Sequence, residues 1–192
     1  MRRCCATLTI MSMTETIDPN ITMGALLAEY PGAQRALFRK YHIGGCASCG
    51  FQPTETLAGV CARNDRIPVE EAIEQILTSH EQEQAMMISP SGLAARRTQD
   101  PALKLIDIRT REEFDAVRIE GAIFFTQELM QEALMTWDRN QAIVVVDHQG
   151  ARAVDAASYF VGHDFTDVKA LRGGIDAWSL EVDRDLPRYH LE

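Results

Sequence analysis

The chain has 192 residues, 46% of them hydrophobic and 24% charged, with 12 Gly and 7 Pro, a balance that suits one or two domains with cores and excludes disordered, collagen-like and low-complexity classes. With 19 Lys and Arg against 28 Asp and Glu the net charge is -9, which repels a phosphate backbone or an anionic bilayer, so neither nucleic acid nor membrane is an expected partner. The most apolar short run, Ala142 to Val146, has the length of a strand and falls far short of the roughly 20 residues that a membrane span needs.

Arg2 and Arg3 precede a few apolar residues, but Thr7 and Thr9 interrupt a stretch too short for a signal-peptide core, so a cytoplasmic location is expected. Met11 and Met13 offer alternative starts, and residues 1–19 read as a disordered or gene-model extension in which Cys4 and Cys5 carry little weight. The remaining cysteines, Cys46, Cys49 and Cys61, crowd into one segment and leave the C-terminal half without a thiol. That is not a disulfide framework; a Cys-x-x-Cys in a cytosolic chain is more often redox-active or metal-binding.

Thr22 reads as the cap of a first helix with Met23, Leu26, Leu27 and Tyr30 on one face, stopped by Pro31-Gly32. Ala33, Ala36, Leu37 and Tyr41 mark a second. Gly44-Gly45 then breaks the helical pattern and presents Cys46-Ala47-Ser48-Cys49 on a turn. A third helix opens at Pro53-Thr54-Glu55-Thr56-Leu57, turns Leu57, Val60 and Cys61 inward, and ends at Asn64-Asp65. A fourth starts with Pro68 and carries Val69, Ala72, Ile73, Ile76 and Leu77 at helical spacing. Residues 20–79 are thus expected to form a small all-α domain and residues 80–88 a linker, whose polar string His80-Glu81-Gln82-Glu83 reads alternatively as the frayed end of the fourth helix.

From residue 89 the pattern alternates: a capped helix after Ser89, a strand over Leu103 to Ile108, a helical turn over Glu112 to Val117, a strand over Ala142 to Val146, a helix over Ala151 to Val161, a strand over Val168 to Leu171 and a helix start over Ile175 to Trp178. Such alternation implies a parallel sheet covered on both faces.

Four ordered landmarks in this half resemble a rhodanese domain: Leu105-Ile106-Asp107-Ile108-Arg109 with Glu112-Glu113-Phe114, then Ile119-Glu120-Gly121-Ala122, the loop Asp147-His148-Gln149-Gly150-Ala151-Arg152, and Leu171-Arg172-Gly173-Gly174 with Trp178. The resemblance implies an α/β domain over residues 89–192 with a five-stranded parallel sheet, its active loop at the carboxyl end of a strand. In an active member the first loop position is the cysteine that accepts a sulfane sulfur; here it is Asp147. A carboxylate cannot carry that sulfur, so sulfurtransferase activity at this loop is expected to be absent. Asp147 reads either as a cap that fills the anion cradle with the protein's own charge or as part of a pocket for a neutral or cationic group. His148 is available as a base or simply solvated. Arg152 either holds the loop or pairs with Asp147, and Asp107 and Arg109 are expected to brace it.

Residues 21–77 resemble the small helical redox-disulfide domain associated with hybrid-cluster proteins, through Thr22-Met23-Gly24-Ala25-Leu26-Leu27, Tyr30-Pro31-Gly32-Ala33, Gly45-Cys46-Ala47-Ser48-Cys49 and Glu55-Thr56-Leu57. This implies thiol–disulfide or sulfur-relay chemistry at Cys46 and Cys49. Two sulfurs at that spacing are close enough to bridge, and nearby N–H groups or a protonated His42 would favour one thiolate. Which cysteine attacks stays open, although Cys46, directly after the glycines, is expected to be the more exposed. The metal alternative uses His42, Cys46, Cys49 and Cys61 for zinc or an iron–sulfur centre; otherwise no cofactor is expected.

The leading expectation is therefore a two-domain thiol-redox or sulfur-relay protein that exchanges with a protein partner, its rhodanese-like domain serving binding or regulation. A non-enzymatic metal-binding scaffold and a sulfurtransferase with an unrecognised acceptor are the alternatives, and the oligomeric state is open.

Overall fold

A computed structural model describes residues 16–44 and 50–189, and the chain divides into two units, Met1–Gln82 and Glu83–Glu192. In the first unit, α1 (Met23–Glu29) and α3 (Leu57–Arg63) start side by side. Their caps Thr22 and Thr56 form an antiparallel bridge, and each hydroxyl accepts an N–H of its own first turn, from Ala25 and Gly59. Two such caps stabilise short helices by about 1 kcal/mol each, which matters because seven-residue helices do not persist alone. Between α1 and α3 lies α2 (Ala33–Tyr41), which ends at His42 in the left-handed conformation, φ 59°. The fourth helix, α4 (Val69–Met86), contributes Ala72 and Ile76 to a core with Met23, Leu26, Leu37 and Leu57.

Two expectations for this unit are corrected. The extension was assigned to residue 19, yet Ile17 is 6% exposed and packs into the core, and Pro19 accepts the N–H of Ala58. Its apolar side chain and the turn made by Asp18, which accepts the Asn20 N–H, tie this segment down; residues 1–15 lie outside the described residues. The stretch read as a linker is also ordered: α4 runs to Met86, and Met87–Ile88 form strand β1. Its polar residues are good helix formers without a Gly or Pro to stop them, and Met86 and Met87 pack against a core of the second unit.

That unit holds a five-stranded parallel sheet in the order β1-β5-β4-β2-β3, with β2 at Lys104–Asp107, β3 at Ile123–Phe124, β4 at Ile143–Val146 and β5 at Val168–Leu171. Every residue of β4 is buried, as expected of a central strand covered on both faces. Alternation divides the side chains: Ile106, Ile143, Val145 and Ala170 point to one core, Leu105, Val144, Val146 and Leu171 to the other. The first core is covered by α7 (Gln127–Thr136) and α8 (Ala151–Val161), the second by α5 (Pro90–Gln99) and α9 (Gly174–Glu181). The remaining helix, α6 (Arg111–Ala116), sits between β2 and β3 in the chain. Among the described residues, no helix is long and apolar enough to cross a membrane.

Candidate functional site

The loop 147–152 leaves the carboxyl end of β4 and enters α8, the place where open parallel sheets gather ligand-binding groups. Asp147 is 3% exposed. One carboxylate oxygen accepts the Gly150 N–H and the other accepts the Arg152 N–H at 2.8 Å, so two of the donors at the start of α8 are satisfied by the protein's own anion. The Arg152 side chain makes no bond to this carboxylate; it is the backbone of Arg152 that does.

Glycines shape the floor of the loop. Gly150 has φ 92°, and a Cβ there would sit 2.8 Å from the Gly173 nitrogen and 3.0 Å from the Leu171 carbonyl. Gly174, at φ 58°, approaches so closely that a Cβ would collide with the carbonyl oxygens of Asp147 and His148, which accept the N–H groups of Ile175 and Asp176. The loop therefore rests on the first turn of α9, backbone against backbone. Gly174→Ala combines a left-handed conformation with that collision and is expected to cost at least about 2 kcal/mol, read as a lowered denaturation midpoint with unchanged m-value.

Beside the loop, at the end of β2, Asp107 and Arg109 form a buried pair, 0% and 4% exposed. Asp107 accepts from the Arg109 backbone N–H at 3.0 Å, from Nε at 3.0 Å and from Nη2 at 2.6 Å, while Arg109 also donates to the Val117 carbonyl and to Tyr189 Oη, both at 2.7 Å. Burial opposes the guanidinium charge, but the bonds to Asp107 and Tyr189 outweigh it and raise the Arg109 pKa. Tyr189 in turn donates to Glu113 at 2.7 Å, and its ring lies 4.6 Å from the His148 ring. Glu113 closes a capping box with Thr110 at the start of α6. Burial pushes the Glu113 carboxyl up, yet the bonds from Tyr189 and Thr110 prevail and hold it below its ordinary range.

The Tyr189 phenol, desolvated by burial and tied to Glu113, is pushed up to about 12. A folded pKa above the unfolded value near 10 stabilises the fold below pH 10 and loses that contribution as pH rises through 12. The stability gap between wild type and Tyr189→Phe should therefore shrink across that interval, as followed by denaturant titrations at stepped pH.

A cavity of about 480 Å³ opens next to Arg152, lined by Ile108, Phe125, Gln127, Met130 and the α8 residues Ala156 and Tyr159. His148 is half-buried, and Gln149 is exposed. Sequence reasoning singled out the loop and the Asp107–Arg109 pair but gave no role to Tyr189 or Glu113. The Thr110-x-x-Glu113 box was a readable signal for the latter, whereas Tyr189 carries none that its sequence position reveals. The helix α7, which adds Gln127 and Met130 to the cavity wall, has no counterpart in the sequence reading despite a Thr126 cap ahead of Leu129, Met130, Ala133 and Leu134.

Cys46 and Cys49 lie outside the described residues. On their flanks, Gln34 Nε2 donates to the Gly44 carbonyl at 3.2 Å and Arg63 donates to the Gly50 carbonyl. Arg63 is itself held by Glu55 at 3.0 Å, whose carboxyl the Gln52 N–H and Arg63 together keep below its ordinary range. Glu55 thus anchors the chain at Gln52 directly and at Gly50 through Arg63. His42 is exposed, its ring 6.0 Å from Phe38. Cys61 is free, 1% exposed and set among the core side chains. Burial, with a smaller contribution from the Glu70 charge, pushes its thiol pKa up. A metal needs the thiolate, so this position argues against the four-residue metal set. Among the described residues, no group of three or more His, Cys, Asp or Glu is placed to hold a metal ion.

Comparison with known proteins concerns the second unit. A family model for the rhodanese-like domain matches residues 89–181. The thiosulfate sulfurtransferase GlpE of Shewanella oneidensis is 31% identical over 81 residues, 42% of this chain and 80% of that protein. The probable adenylyltransferase/sulfurtransferase MoeZ of Mycobacterium tuberculosis is 32% identical over 104 residues, 53% of this chain and 26% of that protein. Among solved structures, a rhodanese-like domain protein from Staphylococcus aureus covers 54% of this chain and 98% of its own, with 21% identity and a TM-score of 0.44.

Proposed function

We propose, from the premise that the chain belongs to the rhodanese-like domain family through residues 89–181, that it works in sulfur relay with its thiol chemistry at Cys46 and Cys49 rather than at the rhodanese loop. The observation that carries this reading is the Asp147 carboxylate bonded to the Gly150 and Arg152 N–H groups. Those donors, which in an active member would lower a thiol pKa and stabilise a persulfide, are occupied, and the chain has no cysteine beyond Cys61. The burial and raised pKa of Cys61 leave the Cys-x-x-Cys pair as the reactive thiols outside the N-terminal extension.

The proposed step balances without an external oxidant. A thiolate of the pair attacks the outer sulfur of a partner persulfide, the partner's thiolate leaves, and the pair carries the new persulfide. Attack by the second thiolate on the inner, cysteine-derived sulfur then forms the Cys46–Cys49 disulfide and releases hydrosulfide, and a dithiol partner restores the reduced pair by exchange. The rhodanese-like domain binds or regulates. Sulfur transfer from thiosulfate to cyanide is expected to stay at background in the wild-type protein and to rise measurably in Asp147→Cys, because the glycine-built loop keeps its N–H donors. Wild-type transfer that survives replacement of every cysteine would overturn the assignment.

A further inference from the structure

We infer that the cavity between α7 and α8 is a binding site for a small amphipathic anion, an apolar chain or ring bearing one carboxylate or sulfonate, with Arg152 as the residue that selects the charge. This goes beyond the dithiol reading and does not depend on it. The walls come from separate elements that converge at the carboxyl edge of the sheet: Ile108 directly follows β2, Phe125 directly follows β3, Met130 comes from the second turn of α7, and Ala156 and Tyr159 follow Arg152 on one face of α8. Its volume of about 480 Å³ lies within the range of small-molecule sites, which are mostly apolar with a few placed polar groups.

Charge decides what fits. Among the described residues, Arg152 is the one ionised side chain lining the cavity, beside the neutral amide of Gln127. Its backbone N–H is taken by Asp147, but among the described residues its guanidinium has no hydrogen bond and no ion pair. Two N–H donors of the loop, those of Gly150 and Arg152, are already bonded to Asp147, whose carboxylate repels a second anion there. An anionic head entering the cavity therefore meets Arg152 and not the loop. A planar guanidinium accepts a carboxylate through two parallel bonds, while Met130, with its adaptable side chain, and Phe125 cover the apolar body.

The test uses the full-length protein and three probes of equal apolar length, octanoate, octanol and octylammonium, followed by NMR of the methionine and isoleucine methyl groups. Octanoate is expected to shift the Met130 and Ile108 methyl signals in a saturable manner, octanol to bind at least about tenfold more weakly, and octylammonium to leave them in place. Arg152→Gln, a change at an exposed side chain, is expected to weaken octanoate about tenfold or more while the octanol affinity stays the same. Ala156→Trp, which fills the cavity, should remove both; the dispersion of its amide spectrum reports whether it folds. The Cys46→Ser, Cys49→Ser double variant should bind octanoate as wild type does, which separates this site from the dithiol. Unmoved Met130 and Ile108 signals, equal affinity for octanoate and octylammonium, or an Arg152→Gln variant that binds octanoate unchanged would each overturn the inference. So would binding of an apolar peptide with a free C-terminus in place of octanoate, which would assign the cavity to a protein partner.

Discussion

Replacing Cys46 and Cys49 together by serine is expected to reduce persulfide loading and thiol–disulfide exchange to the background of a cysteine-free control. In a background that carries Cys4→Ser and Cys5→Ser, removal of the pair leaves no partial route, because the loop has no thiol and Cys61 is buried with a raised pKa. The measurement is intact-mass analysis after incubation with a low-molecular-weight persulfide, with alkylation before and after reduction. Wild type should gain one sulfur at the pair or lose two hydrogen atoms as the disulfide forms, and the double variant neither. Single variants separate the roles. The serine variant that retains the nucleophile accumulates a persulfide with no second thiol to release it, and the other takes up no sulfur. Persistence of full exchange in the double variant would remove the dithiol from the mechanism. Cys61→Ala is the companion control, and exchange that survives in it excludes the core thiol.

The readability of the chain followed its periodicity. The buried run Ala142 to Val146 gave β4 to within one residue, and the helix over Ala151 to Val161 is α8 as observed, because a central strand and a long amphipathic helix each repeat their signal several times. The strands β1 and β3 have two residues each; two residues show no alternation, and only the pairing Met87↔Ala170 and Ile106↔Ile123 makes them strands. The polar run His80 to Gln84 reads as linker by composition, but nothing in it breaks a helix, and the helix continues to Met86. Asp147 as the first residue of the loop was legible because the chemical type of a residue is visible without geometry. The ring of Tyr189 beside His148 was not, since 41 positions of chain separate them and the contact is made by the fold.

Asp107→Ala is expected to destabilise the second unit by about 3–5 kcal/mol, because it strands a buried guanidinium. Asp107 faces Val146 across the β2–β4 ladder, one residue before the loop, and supplies acceptors for three Arg109 donors. Without it, Arg109 keeps the Val117 carbonyl and the Tyr189 hydroxyl, two neutral acceptors that do not compensate its charge. Arg109→Leu alone should cost a comparable amount for the converse reason, a carboxylate left at 0% exposure. Together with Asp107→Leu it should cost clearly less than the two single losses added, since both charges then leave the interior and apolar side chains fill the space. Denaturant unfolding of Asp107→Leu, Arg109→Leu and the double variant that combines them gives the coupling directly. A loss below about 1 kcal/mol in Asp107→Ala would mean that water reaches Arg109 and that the pair is not the brace of the loop. Additive losses would mean that the two residues act independently, contrary to the bidentate geometry between them.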